Sequence, residues 1–375
     1  MDLLFYLLVF LLVLIVSSTT NKLLPFLPMP LIQILLGIGL GLCLPNNQYH
    51  LDTELFLALV IGPLLFREAQ ESDITSILKH WRIVLFLIFP VIFISALSIG
   101  RMAHILWASL PLAACVAVGA ALGPTDLVAF ASLSERFSFP KRISNILKGE
   151  GLLNDASGLV AFRMALIAWT TGTFSLTQAG SSLAISIVGG FAVGFLTAMV
   201  NRFLHTFLLS VRATDIASEL LLELSLPLLT FFIAEEIHVS GIIAVVVAGI
   251  LKASRFKKIN LLEAQVDTVT ETVWHTVTFM LNGSVFVILG MELELIAEPF
   301  LKISFYNTLL LSLSIFLLTI LLFAIRFLMI YGFYAVRIKK LQKNLHNYVK
   351  DMLLLTFSGV KGTVSIATIL LIPSN

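Results

Sequence analysis

The chain has 375 residues, 58% of them hydrophobic and only 12% charged, and its mean hydropathy is +1.01. A soluble domain of that length carries far more polar surface, so the composition excludes a soluble globular protein and points to an all-α, polytopic membrane protein. The net charge of +2 decides nothing by itself, because the basic residues are unevenly placed.

A span takes roughly 17–25 mostly apolar residues. On that criterion twelve spans are expected, near 3–20, 28–45, 53–66, 83–100, 105–134, 145–170, 181–201, 216–235, 239–251, 268–291, 303–336 and 352–372. Met1-Asp2-Leu3-Leu4-Phe5 lacks the basic start of a signal peptide and reads as a retained first span. The ninth span is short, whereas the fifth and eleventh are long enough to hold a break or a strong tilt. Cys43 and Cys115 both fall in spans and read as small apolar residues rather than metal ligands or disulfide partners.

Nineteen of the 24 Lys and Arg residues fall in one set of alternate loops, and only Arg101 and Lys302 in the other; Arg163, Arg326 and Lys361 lie inside spans. Cytoplasmic loops carry the excess of basic residues, so the basic side is cytoplasmic and the N-terminus is outside. Asn375 then also falls outside.

Three carboxylates interrupt the apolar sequence of the fifth and sixth spans: Asp126, Glu150 and Asp155. An ionisable side chain within a span is costly and marks a functional site by default. Gly123-Pro124-Thr125 precedes the first of them, and proline removes a helical N–H and clashes with the preceding turn. Broken helices at membrane depth are tolerated only where protein buries them or a cavity is lined. An acid-lined cation site is therefore expected. A second stretch, Phe357-Ser358-Gly359-Val360-Lys361-Gly362-Thr363, again sets one charge among small residues. Paired interrupted segments in corresponding halves are the best sequence pointer to a transporter site. Six spans followed by one linking span make a second six-span unit inverted. Asp126 and Lys361 then occupy the fifth member of each unit, and a sixth member after residue 375 is expected to be missing.

At these residues the chain resembles the monovalent cation–proton antiporters, in their electroneutral sodium/proton exchanger branch. The resemblance rests on Gly123-Pro124-Thr125-Asp126-Leu127-Val128-Ala129, Phe139-Pro140-Lys141-Arg142, Glu150-Gly151-Leu152-Leu153-Asn154-Asp155, Arg326, Gly359-Val360-Lys361-Gly362-Thr363-Val364-Ser365 and Gly62-Pro63-Leu64-Leu65-Phe66. The most specific element is the Thr-Asp and Asn-Asp pair, 29 residues apart. The resemblance implies inverted six-helix repeats with two interrupted crossing helices. It also implies a mobile ion-translocating core (82–170 and 303–375), a dimerising scaffold (1–81 and 216–300), a linking helix (181–212) and elevator-like alternating access. Two positions depart from the family pattern: Gly151 stands where relatives often carry Ser, and Lys361 where the Gly-x-Arg-Gly element has Arg.

The chemistry expected of these residues follows. Desolvation favours the protonated form of a carboxylate, so one in a partly dry cavity can trade a proton for a cation. Asp155 is the expected carrier, with Asp126 and Thr125 as further oxygen ligands for Na⁺; the competing reading is a buried aspartate kept for stability. Asp126 either coordinates the ion directly or compensates the N-terminal dipole ends of half-helices, and Lys361 plays the mirrored part at C-terminal ends. Asn154 holds neither proton nor charge, so the resemblance implies one Na⁺ for one H⁺. The family pattern pairs Glu150 with Arg326 as a structural ion pair. Glu68 either lines a cytoplasmic access funnel or is a solvated loop charge. Na⁺ or the related Li⁺ and K⁺, together with H⁺, are the expected substrates in a bacterial plasma membrane. No cofactor, nucleic acid or enzymatic reaction is expected.

Two other functions share some of these features. An intramembrane aspartyl protease also uses two aspartates on neighbouring spans, but no Gly-x-Gly-Asp element precedes either residue here. A cation channel with the same acidic site would conduct without proton coupling, which flux measurements distinguish.

Overall fold

The computed structural model describes residues 2–24, 26–43, 53–126, 130, 134, 137–172, 176–211, 215–253, 261–302, 305–340 and 348–359, and no strand occurs among them. In chain order the helices are α1 (Asp2–Leu23), α2 (Met29–Cys43), α3 (Thr53–Phe56), α4 (Gly62–Glu71), α5 (Ile74–Leu78), α6 (Trp81–Phe86), α7 (Ile92–Leu106) and α8 (Leu112–Ala121). Then follow α9 (Lys141–Gly151), α10 (Asn154–Thr171), α11 (Leu176–Ser210), α12 (Ile216–Glu236), α13 (Gly241–Ala253), α14 (Leu261–Lys302), α15 (Phe305–Lys340) and α16 (Val349–Phe357). Among the described residues, five segments are long and apolar enough to cross a membrane: Trp81–Leu106, Gly180–Leu208, Ile216–Glu236, Thr268–Leu293 and Leu309–Arg337.

Two of the expected spans contain a π turn, Leu57–Ile61 between α3 and α4 and Leu87–Val91 between α6 and α7. Each lies at a proline. Pro63 lies two residues past the first turn and Pro90 is inside the second. A proline ring clashes with the carbonyl four residues back, and a π turn widens the backbone there without ending the helix. The eleventh span, by contrast, has no break, because α15 runs unbroken from Phe305 to Lys340.

The chain forms two compact units, one of Met1–Ser72 with Gly180–Leu295 and one of Asp73–Ala179 with Ile296–Asn375. In the first, α2 and α14 meet backbone to backbone. A Cβ at Gly37 would collide with the Val287 carbonyl, and one at Gly290 with the Ile34 carbonyl. Small residues allow this approach where dispersion, rather than water exclusion, drives helix association.

A buried polar cluster crosses the same unit. Lys252 Nζ lies 3.1 Å from Glu223 Oε2 and donates to Asn201 Oδ1 at 3.0 Å. Gln70 Nε2 donates to Glu223 Oε1 at 2.7 Å. Lys252, which the sequence places among loop charges, is thus drawn into a buried pair at the end of α13. His275, inside the tenth expected span, lies exposed on α14.

In the second unit the packing is by small residues. Ala96, Ala117, Ala120, Ala121, Ala161 and Ala165 surround Phe162 and bring α7, α8 and α10 close together. At its loop end Asp73 caps α5: its carboxylate accepts from the Ser76 N–H and from the Thr75 and Ser76 hydroxyls. These bonds hold the Asp73 pKa down from 3.8 to about 2. Since the folded value lies below the unfolded one, the cap's stabilisation is complete above about pH 4 and is lost as pH falls toward about 2. Amide exchange at Ile74–Leu78, corrected for intrinsic rates, should therefore accelerate between those values, and Asp73→Asn should remove the pH dependence.

Candidate functional site

Two chain breaks build the centre of the second unit. α8 stops at Ala121; the Gly123 N–H returns to the Ala120 carbonyl at 3.2 Å, and Pro124 offers no N–H to continue. Thr125 and Asp126 follow in non-helical backbone, both buried, with Asp126 9% exposed. The sixth expected span is not one helix either: α9 ends at Gly151, and α10 begins at Asn154 after a non-helical Leu153. Asp155, 5% exposed, therefore sits in the first turn of a new helix, where the backbone dipoles favour negative charge.

Glu150 sits in the opposite electrostatic setting, in the last turn of α9, where the dipole disfavours an anion. Arg326 of α15 answers it with a two-pronged ion pair: Nη1 reaches Oε1 at 2.6 Å and Nη2 reaches Oε2 at 2.8 Å. The remaining Nε donates to the Leu355 carbonyl at 3.0 Å. That carbonyl is in the last turn of α16, among groups that lack a partner within their own helix. Arg326 thus links α9, α15 and α16, and the pair is inaccessible to water, at 1% and 3% exposure.

One face of α10 docks on the first break. Asn154 Nδ2 donates to the Thr125 carbonyl at 3.1 Å and also to the Thr125 hydroxyl. Asn154 Oδ1 is buried and without a hydrogen-bond partner. One turn on, a Cβ at Gly158 would collide with the Pro124 ring, so only glycine allows this contact. Between them the Ser157 hydroxyl lies 2.9 Å from the Ile88 carbonyl and 2.8 Å from the Asn154 carbonyl.

Thr125, Asp126, Glu150, Asn154, Asp155 and Arg326 therefore all belong to the second unit. Glu68 lies half-buried on α4 in the first. Lys361 lies outside the described residues. Sequence reasoning did not single out Ser157, the role of Gly158, or the break before Asn154. Gly149 and Gly151, helix-ending residues just ahead of Asn154, were the available signal for that break.

Interrupted helices that bring carboxylates into the interior of a helical membrane protein are the mark of secondary transporters. The family model described as sodium/hydrogen exchanger, transmembrane, matches residues 7–375, and the chain belongs to that family. It is 35% identical to proteins named sodium, potassium, lithium and rubidium/H⁺ antiporter from Bacillus pumilus and Bacillus subtilis. The match covers 95% and 100% of this chain. The chain spans about half the length of these two relatives, 54% and 56%. A protein of Escherichia coli named as an uncharacterized Na⁺/H⁺ exchanger, YjcE, is 31% identical over 100% of the chain and 70% of its own length. The solved structure of the sodium proton antiporter MjNhaP1 from Methanocaldococcus jannaschii at pH 8 superposes with a TM-score of 0.69 at 19% identity. It covers 99% of this chain and 86% of that one, and the likeness establishes the antiporter fold.

Removing one member of a buried ion pair leaves a bare charge, whereas removing both does not. Arg326→Met should lower stability by about 3–5 kcal/mol, and Glu150→Met with Arg326→Met by clearly less. Thermal unfolding of the two variants in detergent checks the order.

Proposed function

We propose that the chain exchanges Na⁺ for H⁺ across a bacterial plasma membrane, one for one, by alternating access. Li⁺ and K⁺ are alternative cargoes, in line with the names of the Bacillus relatives. The observation that carries this reading is the pair of buried aspartates, Asp126 and Asp155, at two chain breaks joined through Asn154 and Thr125. Asn154 Oδ1, buried and without a hydrogen-bond partner, adds a neutral oxygen that a hard cation would take.

In this mechanism Asp155 binds either a proton or the cation, and the two compete. The site crosses the membrane loaded with either one and crosses poorly when empty and charged. Asn154 contributes oxygen but no second titration, which keeps the exchange electroneutral. Asp126 acts as a ligand or as a compensator of half-helix dipoles, with Thr125 supplying a further oxygen. Lys361 compensates the opposite ends. Glu150 and Arg326 act structurally rather than as ligands.

The division into two compact units supports assigning 82–170 and 303–375 to a moving core and 1–81 and 216–300 to a scaffold. The linking helix, 181–212, connects the two halves of the chain, and the scaffold pairs with a second copy. Glu68 lines the cytoplasmic access funnel, and the N-terminus is outside. The ions are substrates, so the reading involves neither a cofactor nor enzymatic chemistry.

Sodium-driven proton movement in proteoliposomes tests this, with the protein and its Asp155→Asn variant, at zero and imposed membrane potential. The expected result is exchange that falls to background in the variant and ignores the potential. Exchange that survives the substitution would move the carrier elsewhere. Acceleration by potential would show that a second charge travels.

A further inference from the structure

We infer that Ser157 is a positioning residue for cation binding: by docking the start of α10 on the π turn Leu87–Val91, it sets the spacing of the oxygens offered by Asn154 and Asp155. This inference rests on the exchange reading above. Asn154, Ser157 and Gly158 stand at i, i+3 and i+4, so they share one face of α10. Each meets a different part of an irregular backbone. Asn154 donates to the Thr125 carbonyl, Gly158 admits the Pro124 ring, and Ser157 reaches the Ile88 carbonyl. Three contacts on one face fix the rotation of the helix about its axis as well as its depth. Asp155, next to Asn154, inherits that setting.

The Ser157 contact is of a particular kind. A serine inside a helix usually bonds back to its own preceding turn, and this one does approach the Asn154 carbonyl at 2.8 Å. Its single proton also has a second acceptor at 2.9 Å on another helix, inside a π turn where the backbone ladder slips by one residue. Single π turns within α-helices are found frequently at functional sites. Ser157 is 4% exposed and is neither charged nor adjacent to Asp155, so it acts through the helix and not as a ligand.

The two substrates respond differently to this positioning. A proton binds to one oxygen, and its affinity follows burial and nearby charge, which a neutral substitution at Ser157 preserves, rather than the fine spacing of several ligands. A cation needs several oxygens held within about 0.5 Å of the right positions. Loosening the start of α10 should therefore weaken Na⁺ binding and leave H⁺ binding nearly unchanged. A residue that served stability alone would lower the amount of folded protein without separating the two.

The experiment compares the protein with Ser157→Ala, Ser157→Thr and Asp155→Asn, all purified and reconstituted in proteoliposomes. It measures KM for Na⁺ and the maximal rate across a pH series, and also amide exchange over 152–158 in detergent. Ser157→Ala should raise KM for Na⁺ about 10-fold at every pH, keep the maximal rate within about 2-fold, and leave the inhibition constant for H⁺ nearly unchanged. Amide exchange at the start of α10 should accelerate. Threonine keeps the hydroxyl and should restore both. An unchanged KM in Ser157→Ala, with exchange intact in the unmodified protein and absent in Asp155→Asn, overturns the role of Ser157 alone. So does an equal rise in Ser157→Ala and Ser157→Thr. Absence of sodium-driven exchange in the unmodified protein overturns the functional reading, and this role with it.

Discussion

Backbone carbonyls released by a helix break must find donors, because inside a membrane no bulk water can satisfy them. The second unit of this protein is arranged around that requirement. Its polar side chains lie where the helical ladder is interrupted, and several of them donate to backbone oxygen. Asn154 donates to Thr125, Ser157 to Ile88 and Arg326 to Leu355. The residues that make the family motif recognisable are thus also the ones that allow the chain to be irregular at this depth. With the donors committed to carbonyls and to Glu150, the polar interior is rich in oxygen. That is the chemical character a cation site requires.

Charge is distributed by the same breaks. Glu150 and Asp155 are only five positions apart in sequence, yet the gap between α9 and α10 puts one at the end of a helix and the other at the start of the next. The dipole opposes the first carboxylate and favours the second. Arg326 neutralises the one that needs it through two short bonds. An unbroken helix from 141 to 171 would have placed both carboxylates beyond its first turn and before its last, where the end dipoles have faded, and erased the distinction. The break therefore gives two neighbouring acids different electrostatic settings.

Much of this was legible in the sequence. The apolar runs predicted the helices, Pro124 predicted the break before Asp126, and the motif around Glu150, Asn154 and Asp155 led to the family. Four features were not legible, each for a physical reason. The break at Leu152-Leu153 lies among polar residues and glycines that could equally mark a motif on a continuous helix, and hydropathy does not separate a bent helix from a straight one. The π turns depend on how the backbone accommodates Pro63 and Pro90, which composition does not encode. Lys252 follows an apolar stretch and reads as a loop charge. Only the tertiary placement of Glu223 and Asn201, on other helices, draws it inward. Ser157 was missed because its acceptor is 69 residues away in the chain.

The helix α11 has a consequence of a different kind. Its segment Gly180–Leu208 contains 29 residues and is roughly 43 Å long at 1.5 Å per residue, whereas the hydrocarbon of an ordinary bilayer is about 30 Å thick. The excess is not apolar: Asn201, Arg202 and His205 interrupt the last turns. Residues 180–200 alone make roughly 31 Å, a match to the hydrocarbon. The exposed Arg202 then projects toward the head-group layer on the basic side, where such a side chain is favoured. The charged end of the rod thereby anchors this protein at a fixed depth.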